Sequence, residues 1–248
     1  MVMAAVMILH RLVSGKCFLQ SGLRVLELLV KMDIVYEDKD KIILNKPAGQ
    51  LSQSGKSFEM DLVSEVLTYR KSKGEEAYAA IINRLDRPVS GLVLMAKNKK
   101  EAARLSALMQ KESLCKHYQV LVCGKPEASE GELVDNLLKD AKNNESSVVP
   151  KGKTGAKEAR LFYKLLSYDE ETDIARLDIH LITGRHHQIR VQLSSRNMPV
   201  IGDGKYGGER ALQAVRQLKG TRLKRGCIAL CAVSLTVDGR TYEVSPGF

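Results

Sequence analysis

The chain has 248 residues, with 39 Lys+Arg against 29 Asp+Glu, a formal net charge of +10 at pH 7 and a pI near 9.3. Hydrophobic residues at 44% and charged residues at 27% exclude wholesale disorder. The absence of any run of about 18 apolar residues excludes a membrane-spanning helix. The basic excess points to a polyanionic partner, although an ordinary basic surface gives the same sum.

Cys17, Cys115, Cys123, Cys227 and Cys231 are odd in number and contain no C-x-x-C pair. That argues against a disulfide scaffold or a zinc knuckle and for free thiols in a reducing, cytoplasmic setting. Met1–Leu9 is apolar but lacks the basic flank and small-residue cleavage site of a secretory signal. Residues 1–31 show no clean periodicity and read as a poorly defined N-terminal extension, with a compact domain expected over residues 32–248.

In chain order, Asp33–Asp38 reads as a short strand entering a charged turn, and Ile42–Leu44 as a strand ending in the Pro47-Ala48-Gly49 turn. Asp61 can cap a helix carrying Leu62, Val63, Val66 and Leu67 on one side. Gly91–Ala96 is an apolar run of strand length. Asn98 stands three residues before Glu101, a capping-box spacing, ahead of a helix with Ala102, Leu105, Leu108 and Met109 as its apolar stripe. Tyr118–Val122 reads as a strand, and polar Glu127–Gly155 as a long excursion. Leu177, Ile179 and Leu181 alternate with Arg176, Asp178 and His180, as in a strand with one buried face. Val237-Asp238-Gly239-Arg240 carries the Asp-Gly signature of a two-residue hairpin. Strands and helices mix without a strict β-α-β rhythm, so the expectation is an α+β fold with a largely antiparallel sheet and helices packed on it.

Several segments could carry chemistry. Gly202-Asp203-Gly204-Lys205-Tyr206-Gly207 satisfies G-x-G-x-x-G but lacks the context of a dinucleotide site and reads as a glycine-rich turn. His186 and His187, if helical, point about 100° apart and do not chelate one ion, so no metal is expected. Asn83–Gly91 sets Asp86 between Arg84 and Arg87 at a Pro/Gly turn; those cations favour an ionised carboxylate, suited to act as nucleophile, base or arginine anchor. From this segment alone, a solvated ion-pair turn is the favoured reading. In Gly184–Leu193, Ile189 and Leu193 can face a core while Arg190 shares a face with His186 and His187. Lys205–Arg225 holds seven Lys/Arg against Glu209, with Leu212, Val215, Arg216 and Lys219 suggesting a helix with one apolar and one basic face.

Together the ordered motifs Asn45–Gly49, Arg84-Leu85-Asp86-Arg87 with Ser90-Gly91-Leu92, Lys116-x-Tyr118, Gly184–Leu193 and Gly202–Gly207 resemble those of the RluA-type RNA pseudouridine synthases, from about Ile34 onward. The resemblance implies a pseudouridine-synthase core, a mixed sheet folded around a central basic cleft. It implies isomerisation of uridine to pseudouridine in ribosomal or transfer RNA by a monomer, without guide RNA, metal or small-molecule cofactor. It assigns Asp86 to attack on C1′ or assistance of glycosidic cleavage, Tyr118 to the uracil face as an acid–base group, and Arg190 to pairing with Asp86. It assigns Arg84 to filling the space of the flipped nucleotide, with Arg87, Arg185, His187 and Gln188 as further RNA or pocket contacts. Asn83 and Cys231 stand where the family commonly has histidine, and the segment before Ile34 is too short for an S4-type RNA-binding domain. A non-catalytic RNA-binding or ribosome-assembly factor on the same fold is the alternative, and a base-releasing glycosylase a third reading.

Overall fold

The computed structural model describes residues 32–54, 60–111, 113–218, 220 and 223–248. The expected extension over residues 1–31 lies outside them, as do Lys219 and Arg222 of the basic window. Strands β1 (Ile34–Glu37) and β2 (Lys41–Lys46) are followed by helix α1 (Leu62–Ser72), the short β3 (Ala80–Ile81) and β4 (Ser90–Ala96). Helix α2 (Lys99–Gln110) leads into β5 (Cys115–Cys123), β6 (Glu130–Asp140), β7 (Glu145–Val149), β8 (Lys157–Asp169) and β9 (Ile174–Leu181). Helices α3 (Gln188–Ser194) and α4 (Gly208–Ala214), with a 3-10 turn at Val215–Gln217, precede β10 (Leu230–Val237) and β11 (Arg240–Glu243).

All eleven strands join one sheet in the order β1-β2-β4-β10-β5-β9-β8-β6-β7, with β3 also on β4 and β11 on β10. Only β4 and β10 run parallel. This is the α+β architecture expected, and its local causes are legible. Asp61 accepts from the Ser64 amide at 2.7 Å to start α1, and Asn98 accepts from the Glu101 amide at 2.9 Å to start α2. Asp238 and Gly239 both take positive φ, the geometry a tight two-residue hairpin requires. Leu177, Ile179 and Leu181 are buried, as their alternation predicts. Beneath the sheet, Ile43, Leu92, Leu94 and Leu235 pack with Leu105 of α2, and Leu121, Ile201 and Ala229 pack with Ala214 of α4.

Three local expectations change. Glu127–Gly155 is not an irregular excursion: β6 and β7 form a hairpin, and β6 pairs along β8 from Glu130↔Lys164 to Leu137↔Lys157. Only Leu133 and Leu137 of β6 are well buried, too sparse an apolar signal to register in sequence. The helix of Gly184–Leu193 starts late, at Gln188, because His187 adopts a left-handed conformation (φ 54°). In α4, Ala211 and Ala214 face inward while Leu212 is 47% exposed, so small residues make the contact that Leu212 was expected to make.

The parallel β4–β10 junction depends on one glycine. Gly91 has φ +113°, and a Cβ there would lie 2.3 Å from the Ala232 carbonyl oxygen. Both backbone strain and collision oppose any side chain. Gly91→Ala should destabilise the protein by about 3 kcal/mol or more, whereas Gly74→Ala, with positive φ but open space, should cost only about 1 kcal/mol. Urea unfolding of the two variants beside the parent checks this contrast.

Candidate active site

The loop before β4 that carries Asp86 is fixed on every side. Ser52 Oγ donates to the Leu85 carbonyl (2.7 Å) and accepts from the Leu85 amide (3.1 Å). The Gly49 amide donates to the Arg87 carbonyl at 2.7 Å, and Val89 N closes a turn onto the Asp86 carbonyl at 3.0 Å. Asn83 is buried, accepting from the Leu94 amide at 2.7 Å and donating to the Leu92 carbonyl at 2.9 Å. Its amide mimics a strand neighbour's peptide group, so asparagine suits this position.

Arg190 reaches this loop from α3. Its NH1 donates to Asp86 Oδ2 at 3.0 Å, while Nε and NH2 form a fork on the two oxygens of Asp203 at 2.6 and 2.9 Å. Arg190 is 5% exposed and Asp203 1%. Burial alone would lower the guanidinium pKa, but Asp203 and Asp86 together raise it. Asp203 also accepts from the Lys205 amide at 3.1 Å and the Tyr206 amide at 3.3 Å, which fixes the glycine-rich turn around it. The Tyr206 ring underlies the Arg190 guanidinium at 5.0 Å.

His187 Nε2 lies 3.5 Å from the same Asp86 Oδ2, and its Nδ1 is 2.7 Å from Tyr206 Oη. Tyr206 Oη accepts from the Ser146 amide at 2.9 Å, so its single proton is free to point at His187 Nδ1. That leaves the His187 proton on Nε2, facing Asp86. Burial pushes the His187 pKa down to about 4, so the ring is neutral at physiological pH. Both contacts to Asp86 fall on Oδ2, and the second carboxylate oxygen takes part in neither.

Tyr118, on β5, is buried opposite Ala232 of β10 and Ile179 of β9. Burial first, and the charge of nearby Asp86 second, raise its pKa above the ordinary phenol value. Its hydroxyl therefore stays protonated at neutral pH. Cys231 lies near both Tyr118 and Lys46, and burial raises its thiol pKa, which keeps it neutral.

The remaining expected residues divide. Arg84 is exposed beside Asp86. Arg87 is exposed, with Nε donating to the Gly49 carbonyl at 3.0 Å. Arg185 is exposed and donates to the Glu158 carbonyl at 2.7 Å. Gln188 is turned inward: its Oε1 accepts from Thr183 Oγ1 and the Arg185 amide, and its Nε2 donates to the Arg160 carbonyl. It holds the turn before α3 and is 3% exposed. In the basic window, Lys205 pairs with Glu145 at 3.1 Å and Arg210 with Asp173 at 3.0 Å, while Arg216, Lys224 and Arg225 are exposed.

Sequence reasoning gave no role to Lys46, Asp203, Tyr206 or Ser146. Lys46 is fully buried, donating to the carbonyls of Pro47 (3.0 Å), Gln50 (2.9 Å) and Arg87 (3.4 Å). Burial pulls its pKa down to about 8 against the opposing charge of Asp86. Its signal was a lysine closing an apolar strand before Pro-Ala-Gly. Asp203 and Tyr206 stood inside the glycine-rich motif, where the Asp-x-x-Tyr spacing places both toward α3. Ser146 had no signal, since only the β6–β7 hairpin brings it in. The same hairpin holds His186, whose Nδ1 lies 2.8 Å from Ser146 Oγ and whose ring stacks on His187 at 3.7 Å. The two rings come together because His187 is not helical.

Residues 40–195 match the family model described as RNA pseudouridylate synthase. A ribosomal large subunit pseudouridine synthase C of Rickettsia bellii is 31% identical over 179 residues, covering 72% of this chain and 58% of the relative. A ribosomal large subunit pseudouridine synthase D of Yersinia pestis is 31% identical over 182 residues, covering 72% and 54%. The chain thus spans little more than half the length of these curated relatives. In fold, it is similar to human RNA pseudouridylate synthase domain containing 4 (TM-score 0.70, 20% identity, covering 86% of this chain and 88% of that one). Human RNA pseudouridylate synthase domain containing 1 gives a TM-score of 0.66 at 21% identity, covering 87% and 83%.

Two outcomes follow from the site's electrostatics. Asp203→Ala leaves Arg190 with one carboxylate instead of two and should cost about 3 kcal/mol in a denaturant titration, because a buried cation loses its main partner. His187 faces Asp86, Arg190, Asp203, His186 and Tyr206 and stays neutral down to about pH 4, whereas in the unfolded chain it takes a proton near pH 6.5. Its contribution to stability is complete above about pH 6.5 and is lost as pH falls toward 4. Melting temperatures of the parent should therefore fall more steeply between pH 7 and 5 than those of His187→Gln.

Proposed function

This chain belongs to the RNA pseudouridylate synthase family, and on that premise we propose that it isomerises uridine to pseudouridine within RNA, with Asp86 acting at C1′ of the target nucleotide. The observation that carries the reading is the carboxylate of Asp86 held through one oxygen by Arg190 at 3.0 Å beside neutral His187. Arg190 anchors Oδ2, with His187 Nε2 3.5 Å from the same atom, which leaves the other oxygen to meet C1′. As that bond forms, the C1′–N1 bond breaks and its electron pair stays on the uracil. The uracil turns, C5 bonds to C1′ and the carboxylate leaves. C5 then gives up its proton and N1 gains one, so the reaction needs no redox partner and no cofactor.

The buried, protonated phenol of Tyr118 suits a donor against the uracil ring better than a base waiting in the free enzyme. A uridine in folded RNA must leave its stack to be reached, at a cost of a few kcal/mol that backbone contacts offset. Exposed Arg84, adjacent to Asp86, is the side chain best situated to occupy the vacated space. Arg87, Arg185, Arg216, Lys224 and Arg225 are exposed and are the cations assigned to phosphates in this reading. Gln188 is removed from that set by its internal bonds.

The relatives named for the large ribosomal subunit favour a ribosomal RNA uridine over a transfer RNA one. The protein would work as a cytoplasmic monomer without a guide RNA. Asp86→Asn should abolish pseudouridine formation while RNA affinity changes less than a few fold, and Arg190→Ala should inactivate by freeing Asp86 from its aim. Tyr118→Phe should slow turnover by about a hundredfold with little change in RNA binding. If Asp86→Asn retains the parental rate, the chemistry is misassigned and a binding factor on this fold becomes the better reading. A pseudouridine map of cellular RNA with and without the gene identifies the substrate by the site that is lost.

A further inference from the structure

Cys115 and His117 sit two residues apart on β5, so their side chains leave the same face of the sheet. His180 of β9 stands directly across from His117. The two imidazoles lie parallel, with centroids 4.8 Å apart and planes within 2°, and Cys115 Sγ is 3.5 Å from His180 Nε2. One ligand atom from each of the three falls within 4.8 Å of the others. His117 Nδ1 is held by Asp178 at 3.0 Å, which leaves its Nε2 free of that carboxylate.

We propose that Cys115, His117 and His180 form a binding site for a borderline-soft divalent cation of the zinc class, with Asp178 orienting His117. One thiolate and two imidazoles are the donor set that zinc and cobalt take in preference to magnesium or calcium. Tetrahedral bonds of about 2.0–2.3 Å need ligand atoms about 3.3–3.6 Å apart, so the present spread closes when one of the two stacked imidazoles rotates out of parallel, since a ring nitrogen bonds a cation in its own ring plane. A carboxylate on the distal nitrogen of a ligating histidine is the usual outer support of such a centre. All three ligands are half-buried, and His180 borders a cavity of about 450 Å³ also lined by Glu130, Glu132 and Asp178. That opening supplies an entry path and room for a fourth ligand such as water.

Binding displaces the Cys115 proton to solvent as the thiolate bonds the cation. The ion would tie β5 to β9 between Lys116 and Tyr118, on the face opposite to that taken by Tyr118. It has no part in the proposed isomerisation and acts on the strand pair that holds Tyr118 in place.

Cobalt(II) is the probe. The full-length protein is stripped with chelator and titrated with Co²⁺, and it should take up one equivalent with a thiolate-to-cobalt charge-transfer band and tetrahedral visible bands. Cys115→Ser should abolish the charge-transfer band, His180→Ala should weaken affinity at least tenfold, and Asp178→Asn should weaken it by about tenfold. Cys123→Ser should leave the spectrum unchanged. Failure of the parent protein to bind stoichiometrically, or a charge-transfer band that survives Cys115→Ser, would overturn the site. The parent titration decides without reference to how any variant folds, and neither outcome bears on whether the protein modifies RNA.

Discussion

The architecture around the site depends on how one guanidinium is shared. Arg190 is buried, and a buried cation must be compensated or the fold does not form. Asp203 supplies a full two-point partner, so Arg190 is held before it meets Asp86. The third donor is what Asp86 receives, at 3.0 Å and on one oxygen. This division separates holding the cation from aiming the carboxylate. It also explains why the glycine-rich turn matters: it presents Asp203 and the Tyr206 ring to α3.

A second constraint is topological. Asp86 precedes β4, Tyr118 lies on β5, and the two strands meet only through β10, which runs parallel to β4 and antiparallel to β5. Gly91 and Ala232 must approach backbone to backbone for that junction to close. Lys46 secures the other side by joining the Pro47–Gln50 turn to the Arg87 carbonyl. The site is therefore assembled where β4, β10 and β5 adjoin, with backbone groups holding the Asp86 loop and Lys46 and side chains holding Arg190 and His187.

Much of this was legible in sequence, for a physical reason that also marks the boundary. Helix caps at Asp61 and Asn98, the Asp238-Gly239 turn and the alternation through Leu181 are local signals, and each formed as its neighbours dictate. The resemblance singled out Asp86, Tyr118 and Arg190 by position along the chain. Long-range pairing left no such trace. Nothing in Glu127–Gly155 announces that Ser146 would support Tyr206 and His186, because only the hairpin's register brings it there. His117 and His180 are 63 positions apart in sequence and become neighbours solely through the β5–β9 register. The left-handed His187 was likewise hidden: a helical reading of Gly184–Leu193 assigns its ring a direction that a positive φ reverses.

The net charge of +10 acquires a different meaning at close range. Around Asp86, buried Arg190 meets both Asp86 and Asp203, and buried Lys46, its pKa pulled down to about 8, feels the charge of Asp86. Charges of both signs therefore meet at this point, in contrast to the net excess of the chain as a whole. The surplus instead resides on exposed arginines and lysines such as Arg84, Arg87, Arg216, Lys224 and Arg225. In the proposed reading, an RNA backbone would be drawn to those groups and an extruded base to the residues around Asp86.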